Sequence, residues 1–160
     1  MATKAPFRLM FVCLGNICRS PAAQAVIEQL VNSRGFASKL LIDSAGTGGY
    51  HIGNLPDSRM IAAGANRGIP MTSRAKKLTA THLEERDLII AMDRENLANI
   101  RRLATGDTSH VRLLSDFLGK EWPRDVPDPY YGEDAGFDYV LDMLEAACPS
   151  IMNEITKVSD

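Results

Sequence analysis

Cys13 and Arg19, which five residues separate, lie in the part of the chain best suited to chemistry. An apolar run over 9–12 leads into this segment, and a helix-like segment that starts at Pro21 leads out of it. The pattern predicts a strand, a tight loop and the N-terminus of a helix. The first N–H groups of a helix have no intrahelical partner and the helix dipole adds positive potential, so such a loop is an anion-binding site.

The two side chains at this loop have complementary chemistry. A thiol at a helix N-terminus beside a cation ionises readily, so Cys13 is predicted to be a nucleophile. The planar guanidinium of Arg19 can bind two oxygens of one phosphate. A nucleophile and an oxyanion clamp on one phosphate-sized loop indicate phosphoryl transfer through a phosphocysteine. The alternative is a buried cysteine at a strand end and an arginine that is only a surface charge.

The residues between and after this pair favour a tight turn. Gly15 and Asn16 are types that tolerate left-handed backbone, so the loop can turn successive N–H groups inward. Ser20 is expected to be the N-cap of the following helix and Pro21 its first residue. No lysine follows Gly15 at the spacing of a nucleotide-binding P-loop. The C-x4-C spacing of the two cysteines here, with scattered histidines, argues against a zinc site.

The composition excludes several classes of protein. The chain has 160 residues, 45% hydrophobic and 24% charged, so we expect residues 1–160 to form a single globular domain. A net charge of −2 gives no basic footprint for nucleic acid. No apolar run approaches the roughly 18 residues of a membrane span. Three unevenly spaced cysteines and a poor signal peptide argue against secretion, so we expect a cytoplasmic protein without nucleic-acid or membrane partners.

Four short apolar runs alternate with amphipathic segments, which predicts an α/β sandwich with a parallel sheet. Ligands of such sheets bind beyond the carboxyl ends of the strands, near a topological switch point, where the loop at Cys13 should lie. Cys148 falls on the apolar stripe of the last helix and is expected to fill the core. The predicted strands are 9–12, 40–42, 88–92 and 111–114. The predicted helices are 21–35, 56–68, a turn around 79–85, one capped by Asp93, and 135–157, which Pro149 should kink or split.

A second segment supplies the proton chemistry that a phosphocysteine route needs. Asp128 can protonate the leaving oxygen and then deprotonate the attacking water. It should lie in a loop, because Pro127 and Pro129 flank it and exclude helix. The two phenols that follow suit an aromatic phosphate ester. The alternative is a solvated turn aspartate beside two tyrosines that cap the core, and the rival acids are Asp125, Glu133 and Asp134.

These segments together resemble the low-molecular-weight protein tyrosine phosphatases. The matching stretches are 13–21, 43–47 and 128–132, and Met92-Asp93 with Asn96 is similar to that family's strand-to-helix turn. The resemblance implies a flavodoxin-like three-layer sandwich: a four-stranded parallel sheet with helices on both faces. It also implies hydrolysis of phosphotyrosine and small aryl phosphates without metal or cofactor. The implied partners are phosphotyrosine-containing proteins or peptides, with inorganic phosphate as product or inhibitor.

The resemblance assigns roles by position. Cys13 would be the nucleophile, Arg19 the phosphate clamp, and Asp128 the general acid and then base. Ser20 would hydrogen-bond the thiolate, and Asn16 would hold the strained loop backbone. The phosphate-binding loop would comprise Leu14, Gly15, Asn16, Ile17, Cys18 and Ser20, supported by Ser44, and the walls around the phenyl ring would be Leu14, Tyr50, Tyr130 and Tyr131.

One position departs from the family pattern. Many members have a histidine after the second helix that supports the asparagine–serine network, whereas this chain has Ser73 there. A serine can hydrogen-bond but carries no charge, so we expect weaker loop support. Two further hypotheses concern the same region. Cys18 would capture an oxidised Cys13 as a reversible disulfide, unless it is an apolar filler, and Tyr130 or Tyr131 could be a phosphorylation target.

Two other functions share part of this pattern. Thioredoxin-coupled arsenate reductases resemble the Cys-x5-Arg-Ser architecture, but they need further cysteines, and none lies between the loop and Cys148. A phosphate-binding module without turnover would need neither the nucleophile nor the acid. For a phosphatase, the surface near the cleft, including Tyr50, His51 and Arg74, would steer the choice of peptide.

Overall fold

A computed structural model describes residues 5–159, and the strands in this range form one parallel sheet. The strands are β1 (Phe7–Cys13), β2 (Leu40–Gly46), β3 (Leu88–Ala91) and β4 (Val111–Leu113), in the spatial order β2-β1-β3-β4. The central strand β1 pairs along its whole length with β2, and from Leu9 to Val12 with β3. The predicted parallel sheet is confirmed, and the four predicted strands are present.

Helices cover both faces of this sheet. The α-helices of the described range are α1 (Arg19–Ser33), α2 (Ser58–Ala65), α3 (Ala80–Glu85), α4 (Arg94–Leu103) and α5 (Ala135–Ser159). Side chains of a strand alternate between faces, so Phe11 packs in one core with residues of α1, α2 and α5. Its neighbour Val12 packs in a second core with residues of α3 and α4. The three-layer α/β sandwich is therefore confirmed.

The start of α1 differs from the prediction. The helix begins at Arg19 with Cys18 at the N-cap, and no side chain caps it. Ser20 is therefore not the N-cap, because its hydroxyl lies 3.0 Å from the Cys13 sulfur and accepts a hydrogen bond from Asn16. The anion loop thus runs directly into the helix without a capping side chain in between.

Aspartates begin two of the other helices. Asp57 accepts the backbone N–H of Arg59 at 2.9 Å and caps α2. Asp93 accepts the backbone N–H of Asn96 at 2.7 Å and caps α4, as predicted. Capping by a carboxylate satisfies orphan N–H groups and matches the helix dipole. Both caps also bring a carboxylate to the edge of the sheet where the Cys13 loop lies.

The last helix, α5, runs through Pro149 without a break. The predicted possibility of a split at Pro149 is therefore wrong. Ile151, Met152 and Ile155 continue the buried stripe beyond the proline, and the free energy gained by burying them outweighs the loss of one N–H donor. Cys148 is buried in the main core, as predicted. Within residues 5–159, none of the helices combines the length and the apolar character that crossing a bilayer requires.

Candidate active site

The loop after β1 forms the floor of a cleft at the carboxyl edge of the sheet. From β1 the chain proceeds to β2 on one side and then to β3 on the other, so this edge is the topological switch point. The cleft has a volume of about 470 Å³. Its lining comprises 13–15 and 17–19 from the loop, with Tyr50, His51, Asp128, Tyr130 and Tyr131. The structure therefore brings the two predicted catalytic segments together.

The Cys13 sulfur lies at the base of this cleft, and the residue is only 3% exposed. The backbone N–H of Asn16 donates to the sulfur at 3.3 Å, and the Ser20 hydroxyl lies 3.0 Å from it. Hydrogen bonds of this kind favour a negatively charged sulfur. Cys13 is thus held in a polar environment although most of its side chain is buried.

The side chain of Asn16 holds the loop from behind. Asn16 has a φ of 56°, in the left-handed region, and is the non-glycine residue of the described chain with a positive φ. Its Nδ2 donates to Ser20 Oγ at 2.7 Å and to Ser44 Oγ at 3.0 Å. Its Oδ1 accepts the backbone N–H of Lys76 at 3.0 Å. These bonds offset the cost of left-handed backbone at a residue that has a Cβ.

Two further contacts, which are absent from the sequence predictions, complete this network. Ser44 donates to Gln24 Oε1 at 2.7 Å, and the Lys76 bond comes from backbone rather than a side chain. Among the described residues, Ser73 makes no hydrogen bond with Asn16 or Ser44, so the structure does not bring it into the network. Gln24 could have been found, because it follows Ser20 by four residues on one face of α1.

Glycines allow the loop to pack against its neighbours. A Cβ built on Gly46, at the end of β2, would lie 2.7 Å from Leu14 O and 3.1 Å from Asn16 N. A Cβ on Gly15 would lie 3.0 Å from the His51 ring. Gly15 does not have a positive φ, so its role is close packing and not the left-handed turn expected of it. The sequence predictions did not include Gly46, although a glycine at the end of a strand can mark a close approach of backbone.

Arg19 is buried beside the sulfur and is anchored by the opposite half of the sheet. Its Nη1 binds Asp93 Oδ2 at 2.6 Å and donates to Val126 O at 3.0 Å. Burial would lower the pKa of the guanidinium, but the charges of Cys13, Asp93 and Asp128 raise it above its ordinary value on balance. Arg19 therefore remains a fixed cation at the edge of the cleft.

Asp128 lies on the open side of the cleft. Its side chain is 36% exposed, and its Oδ2 lies 3.7 Å from Arg19 Nη2. Its Oδ1 accepts the backbone N–H of Tyr130 at 3.1 Å, which fixes the turn. The rival Asp125 pairs with Arg94 instead, and this hydrogen bond lowers the pKa of its carboxyl group. Neither of the other two rival acids lines the cleft.

Aromatic rings form the upper part of the cleft. Tyr50 and Tyr131 are largely exposed, whereas Tyr130 is half-buried and meets Tyr131 edge-on at 4.9 Å between ring centroids. His51 also lines the cleft, with its ring 6.1 Å from that of Tyr130. Arg74 does not line the cleft. Its guanidinium donates to Gly53 O instead. These rings and Cys13 line the same cleft, so an aromatic group bound there would meet apolar ring surface.

An arginine bridge joins the phosphate loop to the Asp128 loop. The backbone N–H of Asp57 donates to Ile17 O at 2.8 Å, and the Asp57 carboxylate binds Arg59 at 2.9 Å. Arg59 then donates to Tyr130 O at 2.9 Å, with its guanidinium 4.7 Å from the centroid of the Phe137 ring. The hydrogen bond from Arg59 lowers the pKa of Asp57. No local sequence pattern predicts this bridge.

The thiols of the described chain are free. Burial raises the pKa of the Cys18 thiol, and the charges of Asp57, Cys13 and Asp128 add to this effect. Burial likewise raises the pKa of Cys148. Cys18 is thus a protonated thiol inside the loop. Among the described residues, no group of three or more histidine, cysteine or carboxylate side chains is placed to hold a metal ion.

Known proteins resemble this chain over nearly its whole length. The family described as "Low molecular weight phosphotyrosine protein phosphatase" matches residues 8–160. A putative low molecular weight protein-tyrosine-phosphatase of Synechocystis is 42% identical over 152 residues, which cover 94% of this chain and 97% of that one. The human low molecular weight phosphotyrosine protein phosphatase is 36% identical, covering 96% and 99%. The crystal structure of a protein tyrosine phosphatase from Entamoeba histolytica with Hepes in the active site superposes with a TM-score of 0.92 at 36% identity, covering 96% and 99%.

Proposed function

We propose a reaction cycle for this chain, which belongs to the low molecular weight phosphotyrosine protein phosphatase family. As a member of that family, the chain is a phosphatase. Its substrates would be phosphotyrosine in proteins or peptides and small aryl phosphates. The reaction would pass through a phosphocysteine on Cys13, with Arg19 binding the phosphate and Asp128 transferring protons.

In the first step the Cys13 thiolate attacks phosphorus, and the bond from phosphorus to the phenolic oxygen breaks. Asp128 enters this step protonated and gives its proton to the leaving oxygen. Arg19 and the loop N–H groups bind the three oxygens that stay on phosphorus. Two facts support this arrangement. The buried Arg19 lines the cleft, and the backbone N–H groups of Gly15 and Ile17 donate no hydrogen bond to another described backbone group.

In the second step water attacks the phosphocysteine. Asp128, now a carboxylate, takes a proton from the water, and the sulfur leaves as a thiolate. Ser20 and the Asn16 N–H, which lie 3.0 and 3.3 Å from the sulfur, would stabilise this leaving group. Inorganic phosphate is released and Asp128 is protonated again, so the cycle closes without a metal or cofactor.

The single observation that carries the proposal is the placement of three groups in one cleft. A buried sulfur with hydrogen-bond partners, a buried guanidinium and a partly exposed carboxyl group all line it, and the last two are 3.7 Å apart. A phosphate-binding module would need neither the sulfur nor the carboxyl group. The tyrosine rings that line the same cleft as the sulfur support an aromatic ester as the substrate.

Hydrolysis of p-nitrophenyl phosphate without added metal tests the proposal. Cys13→Ser should abolish turnover while inorganic phosphate still binds, and Cys148→Ser, which changes a thiol in the core, should retain the activity of its folded fraction. Rapid quenching with a labelled substrate should trap a phosphorylated protein in the wild type but not in Cys13→Ser. Substantial turnover by Cys13→Ser, or a wild type that never becomes labelled, would refute the phosphocysteine route.

A further inference from the structure

A second concavity of about 450 Å³ adjoins the catalytic cleft, and Leu14 and Tyr50 line both. We propose that this concavity, the Lys77 groove, binds acidic residues that flank the phosphotyrosine of a protein substrate. The proposal rests on the function proposed above. Lys77 and Arg102 line the groove, and no described carboxylate does. The groove is therefore a cationic surface next to the position where a phosphotyrosine side chain would enter.

Backbone hydrogen bonds fix the point at which the side chain of Lys77, the first cation, leaves the chain. Gly46 and Lys77 form a parallel bridge, in which Gly46 N–H donates to Lys76 O at 2.8 Å and Leu78 N–H donates to Gly46 O at 2.7 Å. Lys76 pairs with Asp43 at 2.6 Å. Lys77 instead forms no salt bridge with a described carboxylate, and its side chain is exposed. Its charge is thus available to a ligand of the groove.

The second cation comes from a different element. Arg102 lies in the last turn of α4, where its Nη1 donates to Asn99 Oδ1 at 2.9 Å. That neutral contact orients the guanidinium without neutralising it. Arg94, at the other end of the same helix, pairs with Asp125. Within residues 5–159 no carboxylate forms a salt bridge with Arg102, so two unneutralised cations from separate elements line the same groove.

The remaining surface of the groove fits a glutamate or aspartate side chain. Leu78 and Leu103 also line it, and apolar surface can pack against the methylene groups of an acidic residue while its carboxylate meets the cations. The acidic residues Asp128, Glu133 and Asp134 do not line the groove. A substrate with acidic flanks is therefore attracted to the two cations of the groove.

The groove is within reach of a bound peptide. An extended chain advances about 3.3 Å per residue, and the cleft and the groove share the ridge formed by Leu14 and Tyr50. Residues within about three positions of the phosphotyrosine can therefore enter it. Exposed ion pairs are individually weak, so two of them should change kcat/KM by about three- to tenfold. The effect should decline as salt increases.

Phosphotyrosine peptides of equal length that carry Glu, Gln or Lys at the flanking positions test the proposal. Wild type should have kcat/KM values in the order Glu, Gln, Lys, with about a tenfold span that shrinks near 0.5 M salt. In the double variant Lys77→Glu/Arg102→Glu the order should reverse. Each value is divided by the kcat/KM of the same protein for p-nitrophenyl phosphate, which corrects for differences in folded fraction and chemistry.

The matched control is Arg34→Glu/Lys39→Glu. This variant also replaces two exposed cations with glutamates. Arg34 and Lys39 lie between the end of α1 and the start of β2, at the edge of the sheet away from the cleft. This control should keep the wild-type order of peptides. Equal kcat/KM for the three peptides, or an unchanged order in Lys77→Glu/Arg102→Glu, would overturn the groove proposal. Failure of wild type to hydrolyse any peptide or p-nitrophenyl phosphate would instead overturn the proposed function.

Discussion

We expect a methyl group added at Gly46 to lower kcat/KM strongly while most of the protein remains folded. The new Cβ would lie 2.7 Å from Leu14 O, whereas ordinary contacts begin at 3.4 Å, so one side must move by about 0.7 Å. Gly46 is held on both sides, because its N–H donates to Lys76 O at 2.8 Å and its C=O accepts from Leu78 N–H at 2.7 Å. Among the described residues, Leu14 O is held by one hydrogen bond, from Gly48 N–H at 2.9 Å, so we expect the phosphate loop to move more than Gly46. Misplacing reacting groups by about 1 Å can cost about 100-fold in rate. We therefore expect Gly46→Ala to lower kcat/KM by about 10- to 100-fold.

The assay is p-nitrophenyl phosphate hydrolysis together with thermal unfolding. Overpacking of this kind destabilises by about 1–3 kcal/mol, which leaves a domain of ordinary stability folded. The control is Gly106→Ala, because a Cβ there meets nothing within 4 Å. It should match wild type in both measurements. A Gly46→Ala protein with wild-type kcat/KM would refute the reasoning, as would a loss of activity that follows the unfolded fraction alone.

Three further changes test other parts of the site and fold. Asp128→Ala should reduce kcat/KM by about 10²–10⁴, and more for phenyl phosphate than for p-nitrophenyl phosphate, because a poor leaving group needs the acid most. Arg59→Met should give the same pattern with smaller amplitude, since the bridge to Tyr130 O positions the Asp128 loop; an equal loss for both substrates would contradict that role. Burial alone would raise the pKa of Asp43, but hydrogen bonds from Arg86 and Lys76 hold it below its ordinary value. These contacts therefore stabilise the fold above about pH 4, and the stabilisation is lost as pH falls further and the carboxylate is protonated. In Asp43→Asn the Tm should therefore decline less than in wild type between about pH 5 and pH 2. An unchanged acid profile would show that this carboxylate does not contribute.

Local patterns predicted the sheet because each strand has a signal of its own. The run from Leu88 to Met92 is apolar at every position, as buried parallel strands are, and β3 lies there. Helix ends were less predictable. Ser20 has the right residue type for an N-cap, but its hydroxyl is used by Asn16 and Cys13, which lie behind it in the folded loop. Pro149 has the right type for a break, but the burial of later residues keeps α5 continuous.

The phosphate loop and the acid could be found because each is a contiguous stretch with its own chemistry. The contacts that hold these two segments in place could not be predicted from the sequence. Lys76 contributes a backbone N–H, which any residue type would supply, so its sequence identity carries no signal. Arg59 reaches Tyr130 across 71 residues, and Arg19 reaches Asp93 across 74. Contacts of that separation follow from the topology of the sheet and not from any local spacing.

Arg19 can bind phosphate because other residues hold its guanidinium in place. Its spacing from Cys13 would not achieve this alone. A guanidinium has five N–H groups in a plane, and both on Nη1 are directed to Asp93 and Val126. The remaining three, on Nη2 and Nε, form the fork that can bind two phosphate oxygens. Because the first pair fixes the plane, little side-chain entropy is lost when phosphate binds. A lysine at this position would have its three N–H donors on a single nitrogen, so it could not donate to Asp93 from one nitrogen and offer a planar fork from two others to phosphate.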